Sequence, residues 1–216
     1  MEKILVSGLI NIETTLKIDQ FPLQYYPVTY PFHGIQSTIS GVGLNLAKAL
    51  TILGSEVNFL SIIGNDLYEQ LIRTELSSLG IDDTSILANL KDTAQSVILY
   101  DTSGKRQIHT DLKDIQQRVY PRHLFEKALN NSQIALLCNI NFNRQLLDVA
   151  SHRQILIATD VHAISQIDDE YNQEFMAAAN ILFLSHENLQ EPPTSFIQRL
   201  WLHYNNQIIV IGMGEH

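Results

Sequence analysis

The sequence predicts an α/β fold: a doubly wound, mostly parallel sheet with helices on both faces, from which a small separate β sheet projects. Three observations carry this prediction. Short runs rich in Ile, Val and Leu alternate along the chain with segments whose apolar residues fall three and four apart. The apolar runs are continuous, as in strands buried on both faces. Two stretches with a period of two interrupt the alternation and fit neither a buried strand nor a crossover helix. At 216 residues, 45% hydrophobic and 17% charged, the chain can bury a substantial core.

In chain order, residues 3–9 (KILVSGL) form the first strand candidate; an acidic residue at position 2 and the break at Ser7 and Gly8 distinguish it from a secretory signal. Residues 13–22 (ETTLKIDQFP) alternate polar and apolar and begin the small sheet, followed by a rigid Pro- and Tyr-rich loop. A helix over 44–53 stops at Gly54, and a strand follows over 56–64. Asp66 starts the helix of 67–79, which Gly80 ends. Residues 95–101 and 106–112 pair about a Ser103-Gly104 turn and complete the small sheet. Helices over 122–131, 143–152 and 169–179 then alternate with strands over 133–140, 154–161 and 180–185. Pro193 begins the helix that includes 195–204, and the last strand covers 207–214.

Charge and composition exclude several classes of function. With 14 basic and 23 acidic residues the net charge is -9, the wrong sign for neutralising nucleic-acid phosphates. No apolar stretch is long enough to span a bilayer, and a reducing cytoplasm is the expected location. Cys138, the only cysteine, lies in an apolar run and reads as a buried thiol; disulfide and zinc frameworks are out of reach. The eight histidines show no ligand spacing, and no Gly-x-Ser-x-Gly elbow occurs.

The densest chemical signal is SGVGLNLAKALTILG at residues 40–54. Gly41 and Gly43 permit close backbone approach at a helix start whose N–H groups favour an electron-rich ligand atom, and Asn45 falls in the first helical turn. Leu46 occupies the place of the third glycine of a dinucleotide fingerprint, which is therefore incomplete. Around this loop stand GLINIETTLKIDQFP, EVNFLSIIGND, LSSLGIDDTSI, TAQSVILYDTSGKRQI and IIVIGMGE, in that order. The succession resembles the PfkB family of sugar and nucleoside kinases across residues 1–216. The resemblance implies one ribokinase-like domain, with a β lid drawn from residues 12–39 and 95–112. It also implies transfer of the γ-phosphate of ATP to a sugar or nucleoside hydroxyl with Mg2+ present.

The same resemblance assigns candidate site residues. Asn11 and Glu13 match the family's Asn-x-Asp, whose carboxylate accepts hydrogen bonds from sugar hydroxyls. Gly41, Gly43 and Asn45 match its Gly-Gly-x-Gly-x-Asn loop, with Ser40 for the first glycine and Val42 where ribokinases often carry lysine. Asn141 lies near the position of a substrate-contacting glutamate, with Asn139 as the alternative under a shifted alignment and helix capping as the competing role. On the nucleotide side, Ser185 and Asn188 match the ends of Asn-x-x-Glu, Glu187 comes one residue early, and Gly214 and Glu215 match the strand that ends beside ATP. Asp160 closes a strand at the end where α/β folds bind ligands. Lid-mediated dimerisation follows by the same analogy.

One family element has no counterpart. The Asp-Thr-x-Gly-Ala-Gly-Asp motif, which supplies an anion hole and the base that takes the hydroxyl proton, does not occur in the 216 residues. The expectation is a domain lacking the C-terminal part of the fold, inactive alone, with exposed apolar surface unless a partner supplies the remainder.

Overall fold

The computed structural model describes residues 3–214. Its first half runs β1 (Lys3–Ser7), β2 (Asn11–Lys17), β3 (Ile35–Ser40), α1 (Val42–Ile52), β4 (Glu56–Gly64), α2 (Leu67–Ser78), β5 (Ile86–Leu90), β6 (Gln95–Tyr100) and β7 (Arg106–Asp111). The second half runs α3 (Arg122–Leu129), β8 (Ser132–Leu137), α4 (Arg144–His152), β9 (Leu156–Asp160), α5 (Gln173–Ala178), β10 (Ile181–Ser185), α6 (Pro193–His203) and β11 (Ile208–Gly212).

The main sheet has seven strands in the order β11-β10-β9-β8-β1-β4-β5. Every neighbouring pair in it is parallel. Successive side chains of a central strand go to opposite faces: Leu5 joins one apolar cluster and Val6 the other. Leu44 and Ala47 of α1 and Ile72 and Leu76 of α2 complete one cluster. Phe125 of α3, Leu146 and Ala150 of α4, Phe175 of α5 and Phe196 of α6 complete the other. Strand order reverses at β1, which places the ligand crevice of such a sheet at the carboxyl ends of β1 and β8.

Helix boundaries follow local chemistry. The Asp66 carboxylate accepts from Tyr68 N–H (3.0 Å) and so caps α2. Gly54 and Gly80 terminate α1 and α2 with φ of 89° and 69°. Pro193 occupies the first turn of α6, where its missing N–H has no cost.

The second sheet has four strands in the order β3-β2-β6-β7. β2 pairs antiparallel with β3 and parallel with β6, and β6 pairs antiparallel with β7. The turn from β6 to β7 is wider than a two-residue hairpin. The Asp101 carboxylate organises it by accepting from Ser103 N–H, Ser103 Oγ and Lys105 N–H, and Gly104 adopts φ 83°. β3 and β5 were not separately legible in the sequence: β3 is mostly exposed and polar, and β5 leads into β6 without a crossover helix.

One face of β9–β11 is uncovered among the described residues. Leu156 (40% exposed), Phe183 (39%), Ile208 (50%) and Val210 (41%) project there, and β11 pairs only with β10.

Candidate functional site

A cleft of about 940 Å³ lies between the carboxyl ends of the main sheet and the inner face of the second sheet. Leu9 after β1, Asn139 after β8, Asp160 at the end of β9 and Ser185 at the end of β10 contribute to its floor. Glu13, Ser96 and Thr110 face it from neighbouring strands of the second sheet, where Glu13 pairs with Ser96 and Ser96 with Thr110.

Asn11 sits where β1 hands over to β2 and is 4% exposed. Its Nδ2 donates to Ser96 Oγ (2.8 Å), and its Oδ1 has no hydrogen-bond partner among the described residues. An unpaired buried carbonyl of this kind costs about 1–3 kcal/mol. Glu13, two residues on, is half-buried and lines the same wall.

The two glycines of the loop before α1 do different work. Gly41 lines the cleft with φ 114°, and a Cβ there would stand 2.4 Å from the Leu9 carbonyl oxygen. Gly43 does not line the cleft: a Cβ would meet the Gly8 backbone at 2.5 Å, so its smallness lets α1 lie against β1. The first-turn N–H groups of Gly43 and Leu44 donate to the Leu9 carbonyl (3.1 and 3.4 Å). That carbonyl engages donors that the sequence suggested were open to a ligand. Asn45 is exposed at the rim, with Nδ2 donating to Ser40 Oγ (3.4 Å). Val42 also lines the cleft.

Asn141 is not brought into the cleft, whereas Asn139 is. β8 ends at Leu137, and Asn141 begins a short 3₁₀ turn. Its N–H and Nδ2 donate to Gln116, and its Oδ1 accepts from Arg144 Nε (3.0 Å). No side chain caps α4. Asn139 Nδ2 donates to Asn172 Oδ1 (3.0 Å), and the Asn139 carbonyl accepts from Tyr171 Oη (3.0 Å). Gln116 Nε2 donates to the same Tyr171 oxygen (3.0 Å). This links the segment leaving β7 to the floor loop, a connection between residues far apart in sequence.

Asn143 went unnoticed in the sequence. Fully buried, it accepts from Ser7 Oγ (2.6 Å) and donates to the carbonyls of Ser7 and Cys138 (2.9 and 2.8 Å), fixing the ends of β1 and β8 beneath the cleft. Cys138 is a free thiol in that floor, and burial raises its pKa to about 12.

Ser185, Glu187 and Gly214 all line the far end of the cleft. Glu187 N–H donates to Ser185 Oγ (3.3 Å), and His186 N–H donates to the Gly212 carbonyl (3.1 Å), joining the ends of β10 and β11. Gly214 has φ 68°, and a Cβ there would stand in ordinary contact, 3.8 Å, with His186 Cε1. Glu215 lies outside the described residues. Asp160 Oδ1 accepts from the N–H of His162, which also lines the cleft and has φ 58°. Among the described residues no three His, Cys, Asp or Glu side chains converge as a metal cage.

Comparison with known proteins accords with this architecture. The chain is 20% identical over 216 residues to an ATP-dependent ribose-1-phosphate kinase of Halopiger xanaduensis, covering 100% of this chain and 72% of that protein. It is 28% identical over 111 residues to the pseudouridine kinase of Escherichia coli, covering 50% of this chain and 36% of that one. The solved structure of the microbiome-derived acarbose kinase Mak1 superposes with a TM-score of 0.85 at 20% identity, over 99% of this chain and 70% of the other. The pfkB family carbohydrate kinase profile matches residues 1–191, and the chain belongs to that family.

Proposed function

We propose that these 216 residues form the acceptor-binding part of an ATP-dependent kinase acting on a hydroxyl of a sugar or nucleoside. The observation that carries this reading is Asn11 Oδ1, a buried acceptor unpaired among the described residues, at a cleft that Asn45 also lines. A ligand hydroxyl supplies the donor that this oxygen lacks. Glu13 accepts from a second hydroxyl, Asn45 both donates and accepts, and Gly41 lets the backbone approach the ring. Val42 cannot make the contact of a lysine there, which disfavours an acceptor recognised as in ribokinases. The names of the two curated relatives, a ribose-1-phosphate kinase and a pseudouridine kinase, support a ribose-containing acceptor.

The shelf formed by Ser185, Glu187 and Gly214 is the place for ATP, which supplies the transferable γ-phosphoryl group. Its residues fit that task in part: Gly214 presents backbone without a side chain, while Glu187 and Asp160 are carboxylates that line the cleft among the described residues. Mg2+ generally takes one or two carboxylates together with substrate phosphates and water, a number that Asp160 and Glu187 can supply. Glu187 would orient the hydrated ion. In the reaction the acceptor oxygen bonds to the γ-phosphorus, the bond to ADP breaks, and the hydroxyl proton passes to a base. The family's base motif is not among these residues, which favours a second reading: this polypeptide binds its acceptor without turnover.

The experiment measures both properties on one preparation. Calorimetric titration with ribose, ribose 1-phosphate and pseudouridine should give saturable binding to at least one, and Asn11→Ala should weaken it about tenfold or more. Coupled assay of ADP release should give no turnover for the 216-residue polypeptide. Turnover would defeat the second reading; absence of binding to all three would defeat the first.

A further inference from the structure

The geometry points to Arg106 as the residue that selects an anionic acceptor, a sugar carrying a phosphate group; this inference rests on the acceptor site proposed above. Arg106 is the one Lys or Arg side chain among the described residues lining the cleft, whose lining also includes the carboxylates Glu13, Asp160 and Glu187. No carboxylate lies within ion-pair distance of it among the described residues. The other cleft carboxylates therefore do not neutralise it, and its fork of donors is open to a ligand.

Strand register places this cation relative to the hydroxyl-binding wall. Arg106 pairs with Tyr100, whereas Thr110 pairs with Ser96, which in turn pairs with Glu13. Arg106 is therefore four residues along β7 from the Glu13 row, about 13 Å of strand. Residues 106, 108 and 110 share the inner face, since alternate positions of a strand point the same way, and all three line the cleft. The cation and the Glu13 row therefore stand apart along the same inner wall of the cleft.

A phosphopentose thus meets two complementary ends. Its phosphate takes paired hydrogen bonds from the guanidinium, and its hydroxyls meet Glu13 and Asn11. Reversal is disfavoured because it would set the phosphate against Glu13. Ile98 and Ile108 also line this part of the cleft and give the ring apolar contact.

The alternative source of phosphate is ATP, and the test separates the two. Calorimetric titrations with ribose, ribose 1-phosphate, ribose 5-phosphate and a non-hydrolysable ATP analogue are run on the wild-type chain, Arg106→Ala, Arg106→Lys and Arg122→Ala. Arg122 is an exposed α3 residue outside the cleft. We expect at least one phosphopentose to bind about tenfold or more tightly than ribose. Arg106→Ala should reduce that ligand to the ribose level without changing ribose, Arg106→Lys should keep part of the preference, and Arg122→Ala should keep all of it. Equal affinity for ribose and both phosphopentoses, or an unchanged preference in Arg106→Ala, overturns this inference and leaves the acceptor site intact. Loss confined to the ATP analogue also overturns it, by assigning Arg106 to the nucleotide. Failure of every sugar to bind overturns the acceptor site and this inference together.

Discussion

At the residue scale, the loop before α1 shows how two identical residues in one motif acquire different tasks. Gly41 faces the cleft, while Gly43 is pressed against Gly8, which itself abuts Cys138 Sγ. Gly43→Ala drives a methyl group into backbone on the far side, and we expect it to destabilise the fold by about 3 kcal/mol, the upper range of overpacking. Acceptor affinity of the fraction that remains folded should be unchanged. Urea denaturation and titration of the same sample check this; an affinity loss at full stability would return Gly43 to the binding residues. Cys138 gives a second test at this scale. Burial holds its pKa near 12, above the ordinary thiol value, so the reactive thiolate is scarce at neutral pH and grows only as pH rises toward that value. An aromatic disulfide reagent at pH 7.5 should therefore react slowly with native protein and fast after addition of urea.

At the element scale, most strands and all six helices were readable, because continuous apolar runs and a period of 3.6 are properties of local sequence. Asp66, Gly54, Gly80 and Pro193 marked boundaries by chemistry that acts within a few residues. What escaped was set by distant neighbours. β3 holds its place through pairing with β2, Asn143 ties β1 to β8, and Asn141 turns to Gln116 instead of the cleft. Arg106 gave no signal in the sequence, because only the β6–β7 register and the position of the second sheet over the first bring it into the cleft. Asp66 also works beyond its own helix: its carboxylate accepts from Thr93 N–H (2.7 Å) and Thr93 Oγ (3.0 Å), and Thr93 Oγ accepts from Gly64 N–H (3.0 Å). It fastens the start of α2 to the segment that leads into β6. Asp66→Ala removes a helix cap, worth about 1 kcal/mol, and leaves the buried Thr93 without its acceptor, worth about 1–3 kcal/mol more. We expect a total loss of roughly 2–4 kcal/mol by urea denaturation, with faster amide exchange in β6 and partial recovery in Asp66→Asn. A change below about 0.5 kcal/mol would show that the tie is dispensable.

At the scale of the whole molecule, the two halves of the sheet are covered differently. α1 and α2 cover one face of β1 and β4, and α3–α6 cover the opposite face of the sheet. The first of these faces continues across β9–β11 as Leu156, Phe183, Ile208 and Val210 without a helix above it. Apolar contact would cover that surface in a larger or associated molecule; in water it favours self-association, and the free edge of β11 offers unpaired backbone groups for the same purpose. The 216-residue polypeptide should therefore sediment as a concentration-dependent mixture, bind a hydrophobic dye while folded, and aggregate on heating. Leu156 and Ile208 lie on this face outside the cleft lining, so they can be changed without altering the proposed acceptor site. Leu156→Lys with Ile208→Lys should shift sedimentation toward monomer, reduce dye binding, and leave acceptor affinity in place, because charge on an exposed face opposes edge pairing. A wild-type chain that is monomeric at all concentrations, free of dye and reversible on melting would show that this face is adequately solvated as it stands.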